Sequence, residues 1–111
     1  MPVIAIVIPV FNEEAVLPTL FARLRAVFDA QPALCAWRAV LVDDGSRDRS
    51  AALIREQAAG DPRFELVELS RNIGFQAALA AGLAYARQAD AIVTMDADLQ
   101  DPPEVIPQLL A

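Results

Sequence analysis

Lysine and histidine are both missing from this chain, and all nine of its basic residues are arginine. Those two absences exclude whole classes of chemistry. Without histidine, no Ser-His-Asp or Cys-His pair can form within the chain, and zinc sites built on imidazole are ruled out. Without lysine there is no phosphate loop of the G-x-x-x-x-G-K type. The single cysteine, Cys35, can supply neither a metal-binding cluster nor an internal disulfide. In "ALCAW" it reads as a small buried hydrophobe, and one lone thiol fits a reducing compartment. Acidic residues outnumber basic ones 15 to 9, with no basic stripe of the kind nucleic acids require. Long apolar runs are scarce as well. "MPVIAIVIPVF" has no basic lead and no small-residue cleavage site, so it does not read as a signal peptide. It also falls far short of the roughly 20 residues needed to cross a bilayer.

What the chain does have is apolar residues, 56% of 111 positions, enough to bury a core and fitting one domain or part of one. Their spacing alternates between two periods. The β-branched run Val3–Pro9 predicts a strand buried on both faces, closed by Pro9. Leu17, Leu20, Phe21, Leu24, Val27 and Phe28 then recur at helical spacing over 15–28, with Pro18 in the first turn. Ala39–Val42 predicts a second buried strand beginning near Trp37. Ser46, Asp48 and Ser50 offer N-caps for a short helix through 54–58, which "GDP" at 60–62 ends. Phe64–Leu69 alternates as an edge strand, Gly74–Ala86 is helical, and Ala91–Met95 predicts a fourth buried strand. Asp101 reads as the cap of a last helix opened by Pro102 and Pro103, with Glu104 in its first turn. Asp61, Glu56 and Arg63 read as solvated surface. This β-α alternation predicts an α/β fold with a mostly parallel sheet flanked by helices.

In such sheets ligands bind at the carboxyl ends of the strands. The polar segments of this chain fall there: "FNEE" (11–14), "DDGS" (43–46), "SRN" (70–72) and "DADLQD" (96–101). The carboxylates of Glu13, Asp43, Asp44, Asp96 and Asp98 are therefore expected to converge. Asp96 and Asp98, two residues apart in extended chain, point the same way. A hard divalent cation is the positive charge that such a pair expects, with Gln100 adding an oxygen or holding a metal-bound water. A D-x-D segment alone usually marks a solvated loop, and "DDGS" alone a turn. Acidic clusters after three separate strands are what point to a site.

"VIPVFNEE" (7–14), "VLVDDGSRDRS" (40–50), "LSRNIGFQAALAAGL" (69–83) and "VTMDADLQDPPEVIPQLL" (93–110), in this order, resemble family 2 glycosyltransferases. The similarity is greatest to the branch of dolichol-phosphate mannose synthases and bacterial polyprenyl-phosphate sugar transferases. It implies a GT-A fold, Rossmann-like, with strand order 3-2-1-4. Residues 1–111 would be the nucleotide-sugar-binding N-terminal part of that domain, with the acceptor-binding half beyond Ala111. The family implies a UDP- or GDP-linked sugar donor, Mg²⁺ or Mn²⁺, and a lipid-phosphate acceptor of the polyprenyl type. A saccharide hydroxyl acceptor, or an inactive nucleotide-binding remnant, are the alternatives. Carried over by motif, Pro9, Phe11 and Glu13 would line the nucleotide pocket, and Val42 and Asp44 would flank the base. Asp96, Ala97 and Asp98 would meet the ribose and diphosphate, and Asp96, Asp98 and Gln100 would surround the metal, through which Asp98 would act in catalysis. Phe11 stands where the family more often has Tyr, and "IGFQ" departs from the commoner pattern after Arg-Asn. The resemblance implies a cytoplasmic chain, at the inner face of the membrane in a longer protein. A phosphoacceptor receiver domain would need a strand-end Lys, and a sugar-nucleotide nucleotidylyltransferase a Gly-rich first loop; the chain has neither.

Overall fold

The β-branched run near the N-terminus forms the middle of a sheet. A computed structural model describes residues 2–30, 36–98 and 102–106. In it β1 (Val3–Val10) pairs in parallel with β2 (Ala36–Asp43) on one side and with β4 (Ala91–Thr94) on the other. β3 (Phe64–Glu68) pairs in parallel with β2, so the order is β3-β2-β1-β4, the expected 3-2-1-4. Every residue of β1 from Ile4 to Val10 is buried, as a strand covered on both faces should be.

The two faces carry different cores. Ile4, Ile6, Ile8 and Val10, with Trp37, Ala39, Leu41 and Phe64, point to the face covered by α1 (Leu17–Ala30) and α2 (Ser50–Gly60). All six α1 positions picked out by helical spacing are buried there. Phe28 stacks on Trp37 at 5.2 Å between centroids and meets Phe64 at 6.0 Å. Ala5, Val7, Val40 and Val42 point the other way, to Ala78 and Ala86 on the side of α3 (Phe75–Tyr85). That second core is thin because α3 sits very close. A Cβ on Gly82 would lie 2.4 Å from Val7 Cγ1 and 2.8 Å from Val42 Cγ2. Both neighbours are β-branched residues on buried strands, with little room to turn. Gly82→Ala is therefore expected to cost about 1–3 kcal/mol by overpacking, read as a lowered urea midpoint at unchanged slope.

Several local expectations change. Pro9 does not close β1, which runs on to Val10. Val7 O accepts from Met95 N, so Val7 and, two residues on, Pro9 direct their polar groups to the β4 side. β4 pairing ends at Thr94 opposite Val7, so the missing proline N–H deprives no partner. β4 is not fully buried: Ile92 and Thr94 are exposed, because α3 packs over β1 and β2. β3 stops at Glu68 rather than Leu69. Asp61 and Arg63 are not merely solvated. The Arg63 guanidinium bonds to Asp61 and Asp29 and lies 5.5 Å from the Phe28 ring centroid. At the far end a short 3₁₀ turn, Pro103–Val105, is tied to α1 by Glu104 and Arg23. Cys35, Gln100 and Asp101 lie outside the described residues. Among the described residues no helix is long and apolar enough to cross a membrane.

Candidate active site

The four loops at the carboxyl edge of the sheet enclose a cavity of about 400 Å³. Its walls are Pro9 and Val10 at the end of β1, Phe11 and Glu13 from the first loop, Asp44 from the second, Asn72, Gly74 and Phe75 from the third loop and the start of α3, and Asp96, Ala97 and Asp98 after β4. Seven of the eight residues expected at a nucleotide site thus meet in one cavity. The eighth, Val42, has its side chain in the core under α3, for register places it on the same face as Val7 and Val40. Of the five carboxylates expected to converge, Asp43 does not line the cavity. It is buried beneath its own turn, where Oδ2 accepts from Ser46 N at 3.3 Å.

Asp44 is held most firmly. Only 3% exposed, it takes Ile73 N at 2.8 Å on Oδ1 and Gly74 N at 3.1 Å on Oδ2. Asn72 Nδ2 donates to the same Oδ2 at 3.1 Å. A carboxylate offers about four lone-pair sites, so three donors leave room for one more, on Oδ1. The third loop reaches Asp44 only because residue 45 is glycine. Gly45 has φ +73°, and a Cβ there would lie 2.4 Å from Asn72 N. Asn72 comes from the "SRN" segment expected at this edge, while Gly74 and Phe75, just beyond it in "IGFQ", were not expected as walls.

The first loop is pinned by the second. Three successive backbone N–H groups donate to side chains of residues 46–50: Asn12 N to Ser46 Oγ at 2.9 Å, Glu13 N to Ser50 Oγ at 2.8 Å, and Glu14 N to Asp48 Oδ2 at 3.2 Å. Arg47 N donates back to Asn12 Oδ1 at 2.8 Å. These side chains were expected to cap α2, yet that helix starts at Ser50 behind Arg49 with no side-chain cap bond. Asp48 Oδ1 instead accepts from Ser50 N at 2.8 Å. Burial works against the Asp48 charge, but the bonds from Ser50 and from Glu14 N outweigh it and hold the carboxyl below its usual range.

Phe11 is 43% exposed, so a face of its ring is available for stacking. Glu13 is half-buried and titrates above its usual range, first through burial, then through repulsion by Asp98 and Asp48. The end of the cavity shared by Glu13, Asp96 and Asp98 is thus short of positive charge. Among the described residues no three acids stand close enough to hold a metal ion by themselves. Magnesium and manganese commonly take one or two carboxylates and complete their shell with phosphate oxygens and water. The Asp96/Asp98 pair fits that mode. On its other side Phe11 also borders a second hollow of about 500 Å³, lined by Asn12, Gly45, Arg47, Ser70, Arg71 and Asn72.

The family model described as "Glycosyl transferase family 2" matches residues 5–111. A Bacillus subtilis protein named "Uncharacterized glycosyltransferase YkcC" is 45% identical over 106 residues, 96% of this chain and 32% of its own length. An "Undecaprenyl-phosphate 4-deoxy-4-formamido-L-arabinose transferase" of Shewanella sediminis is 49% identical over 110 residues, 97% of this chain and 32% of its own. The chain thus spans about a third of the length of these curated relatives. Among solved structures, the "Mannosyltransferase PcManGT from Pyrobaculum calidifontis in complex with GDP-Man and Mn2+" superposes with a TM-score of 0.71 at 25% identity, over 86% of this chain and 27% of that one. S. aureus TarS 1-349 in complex with UDP superposes with a TM-score of 0.65 at 23% identity, over 88% of this chain and 28% of that one, and shows the shared fold. A parallel 3-2-1-4 sheet, acidic loops on its carboxyl edge and a family match over residues 5–111 lead to one assignment: the chain belongs to glycosyl transferase family 2.

Proposed function

We propose that this chain forms the donor half of an enzyme that moves a sugar from a nucleotide-diphosphate sugar to a polyprenyl phosphate. The observation that carries the reading is the single cavity in which Asp96 and Asp98 meet Phe11, Glu13 and Asp44. Phe11 would stack on the base and Asp44 Oδ1 would accept from a base N–H. Asp96 and Asp98, with Gln100, would hold a divalent cation against the diphosphate. When bound, such a cation stabilises negative charge on the departing nucleotide diphosphate. The chain's own contribution is to fix the donor's orientation so that the anomeric carbon faces an acceptor oxygen on its open side. A lipid phosphate is already anionic and needs no strong general base. The Shewanella relative's name supports the polyprenyl-phosphate acceptor, and the Pyrobaculum complex supports Mn²⁺ and a GDP-linked donor.

Titration calorimetry on the full-length protein tests this. GDP or UDP is expected to bind in the presence of Mn²⁺ and to lose at least tenfold in affinity, about 1.4 kcal/mol, when EDTA removes the metal. Equal binding with and without EDTA would sink the metal assignment. A folded protein that binds neither nucleotide would support the inactive-remnant alternative.

A further inference from the structure

We infer that Ser50 is a positioning residue for the donor site: its hydroxyl, on the first residue of α2, sets the turn that places Phe11 and Glu13 in the cavity wall. The inference rests on the reading above, that the cavity holds a nucleotide diphosphate.

Four observations support it. Ser50 is completely buried, yet its hydroxyl does not serve its own helix. The oxygen accepts from Glu13 N, 37 residues earlier in the chain, while the Ser50 backbone N–H donates to Asp48 Oδ1 at 2.8 Å. Asp48 in turn accepts from Glu14 N. Ser50 and Asp48, joined to each other through the Ser50 N–H, thus receive two consecutive N–H groups of the first loop. The turn passes through the left-handed region at Asn12, φ +53°, a conformation uncommon outside glycine though one that asparagine enters more easily than most residues. Such a conformation persists where surrounding bonds over-determine it; here Ser46 Oγ and Arg47 N hold Asn12 from both ends. Finally, the residues on either side of Asn12 are the ones that matter. Phe11 and Glu13 both line the cavity, and Glu13 feels the field of Asp98.

Removing the Ser50 hydroxyl leaves Glu13 N, a partly buried donor, without its acceptor. The cost of such an unpaired group can be relieved if the turn relaxes and exposes the N–H to water. Relaxation moves Phe11 and Glu13 away from the positions that fit a nucleotide. A serine that only stabilised α2 would have no such effect on binding.

The test compares three variants of the full-length protein by calorimetry with GDP and UDP in the presence of Mn²⁺, well below their melting temperatures. Ser50→Ala is expected to weaken nucleotide binding about tenfold. Ser50→Thr, which keeps the hydroxyl, is expected to bind within about twofold of the wild type. Ile54→Val, buried in the core one turn further along α2 and with no part in the bonds to the first loop, removes core contacts and is likewise expected to bind within about twofold. Ser50→Ala binding as tightly as wild type overturns the inference, as does Ile54→Val weakening binding equally. Ser50→Thr as weak as Ser50→Ala overturns the role of the hydroxyl. A wild type that binds neither nucleotide overturns the proposed function, and this inference with it.

Discussion

Asp98→Asn in the full-length enzyme is expected to lower sugar transfer roughly 10³-fold, the equivalent of several kcal/mol of charge stabilisation lost with a weakly held cation. Asparagine keeps the shape of the side chain and one oxygen but loses the charge. Asp98 is exposed, and its field pushes Glu13 upward, so folding stability should change by no more than about 0.5 kcal/mol. The pairing of near-normal stability with failed turnover is what separates a donor-site carboxylate from a structural one. Raising Mn²⁺ should restore part of the rate if the defect is metal affinity. Turnover within a few fold of wild type at limiting metal would remove Asp98 from the proposed site.

Asp44→Ala is expected to act on both stability and binding. It strips the acceptor from Ile73 N and Gly74 N together, and leaves Asn72 Nδ2 only the Asp44 backbone carbonyl at 3.2 Å. Hydrogen bonds to a charged group are worth about 1.5–3 kcal/mol each, but water will reach the outer donors of this loop, so a net loss of about 3 kcal/mol is expected. Urea denaturation should show it as a lowered midpoint. Nucleotide binding should fail as well, because Asn72, Gly74 and Phe75 line the cavity and depend on this anchor. Asp44→Asn keeps one acceptor oxygen and should fall between the two. A loss under about 1 kcal/mol for Asp44→Ala would mean that the third loop is held by something else.

The parts of the fold that were legible in the sequence are those governed by periodicity. Six apolar positions at helical spacing name the buried face of α1, because one stripe of a helix must meet the sheet. The run at β1 reads as central because it is apolar without alternation. The cavity was legible as four polar segments after four strands, with the quoted motifs adding the order of the strands. Less legible was what short polar side chains bond to. Ser46, Asp48 and Ser50 carry the same sequence signal whether they cap a helix or hold a neighbouring loop, since both need a small oxygen next to a free N–H. Only the spacing of β1 and β2 in the folded sheet decides between them. Asp44 shows the same ambiguity, for an aspartate that reads a ligand and one that anchors a loop look alike in sequence. Pro9 misled because a proline usually ends a central strand; where β4 stops decided otherwise. Arg63 misled because a charged residue beside "GDP" looks solvated until Phe28 and Asp29 are seen next to it.

The sheet order also bears on how the chain emerges from the ribosome. β1 finds β2, and β2 finds β3, among the residues that follow soon after, but the other neighbour of β1 is not made until residues 91–94. Through that interval one long edge of a strongly apolar strand lies open, the kind of edge that recruits strands from other molecules. Pro9 directs its missing donor to that edge, near the end of the strand. A foreign strand extending the ladder to that point would lack a hydrogen bond there, whereas β4 ends before it needs one. The residue that looked like a strand terminator thus removes one hydrogen bond from any ladder that runs past Val7 along that edge.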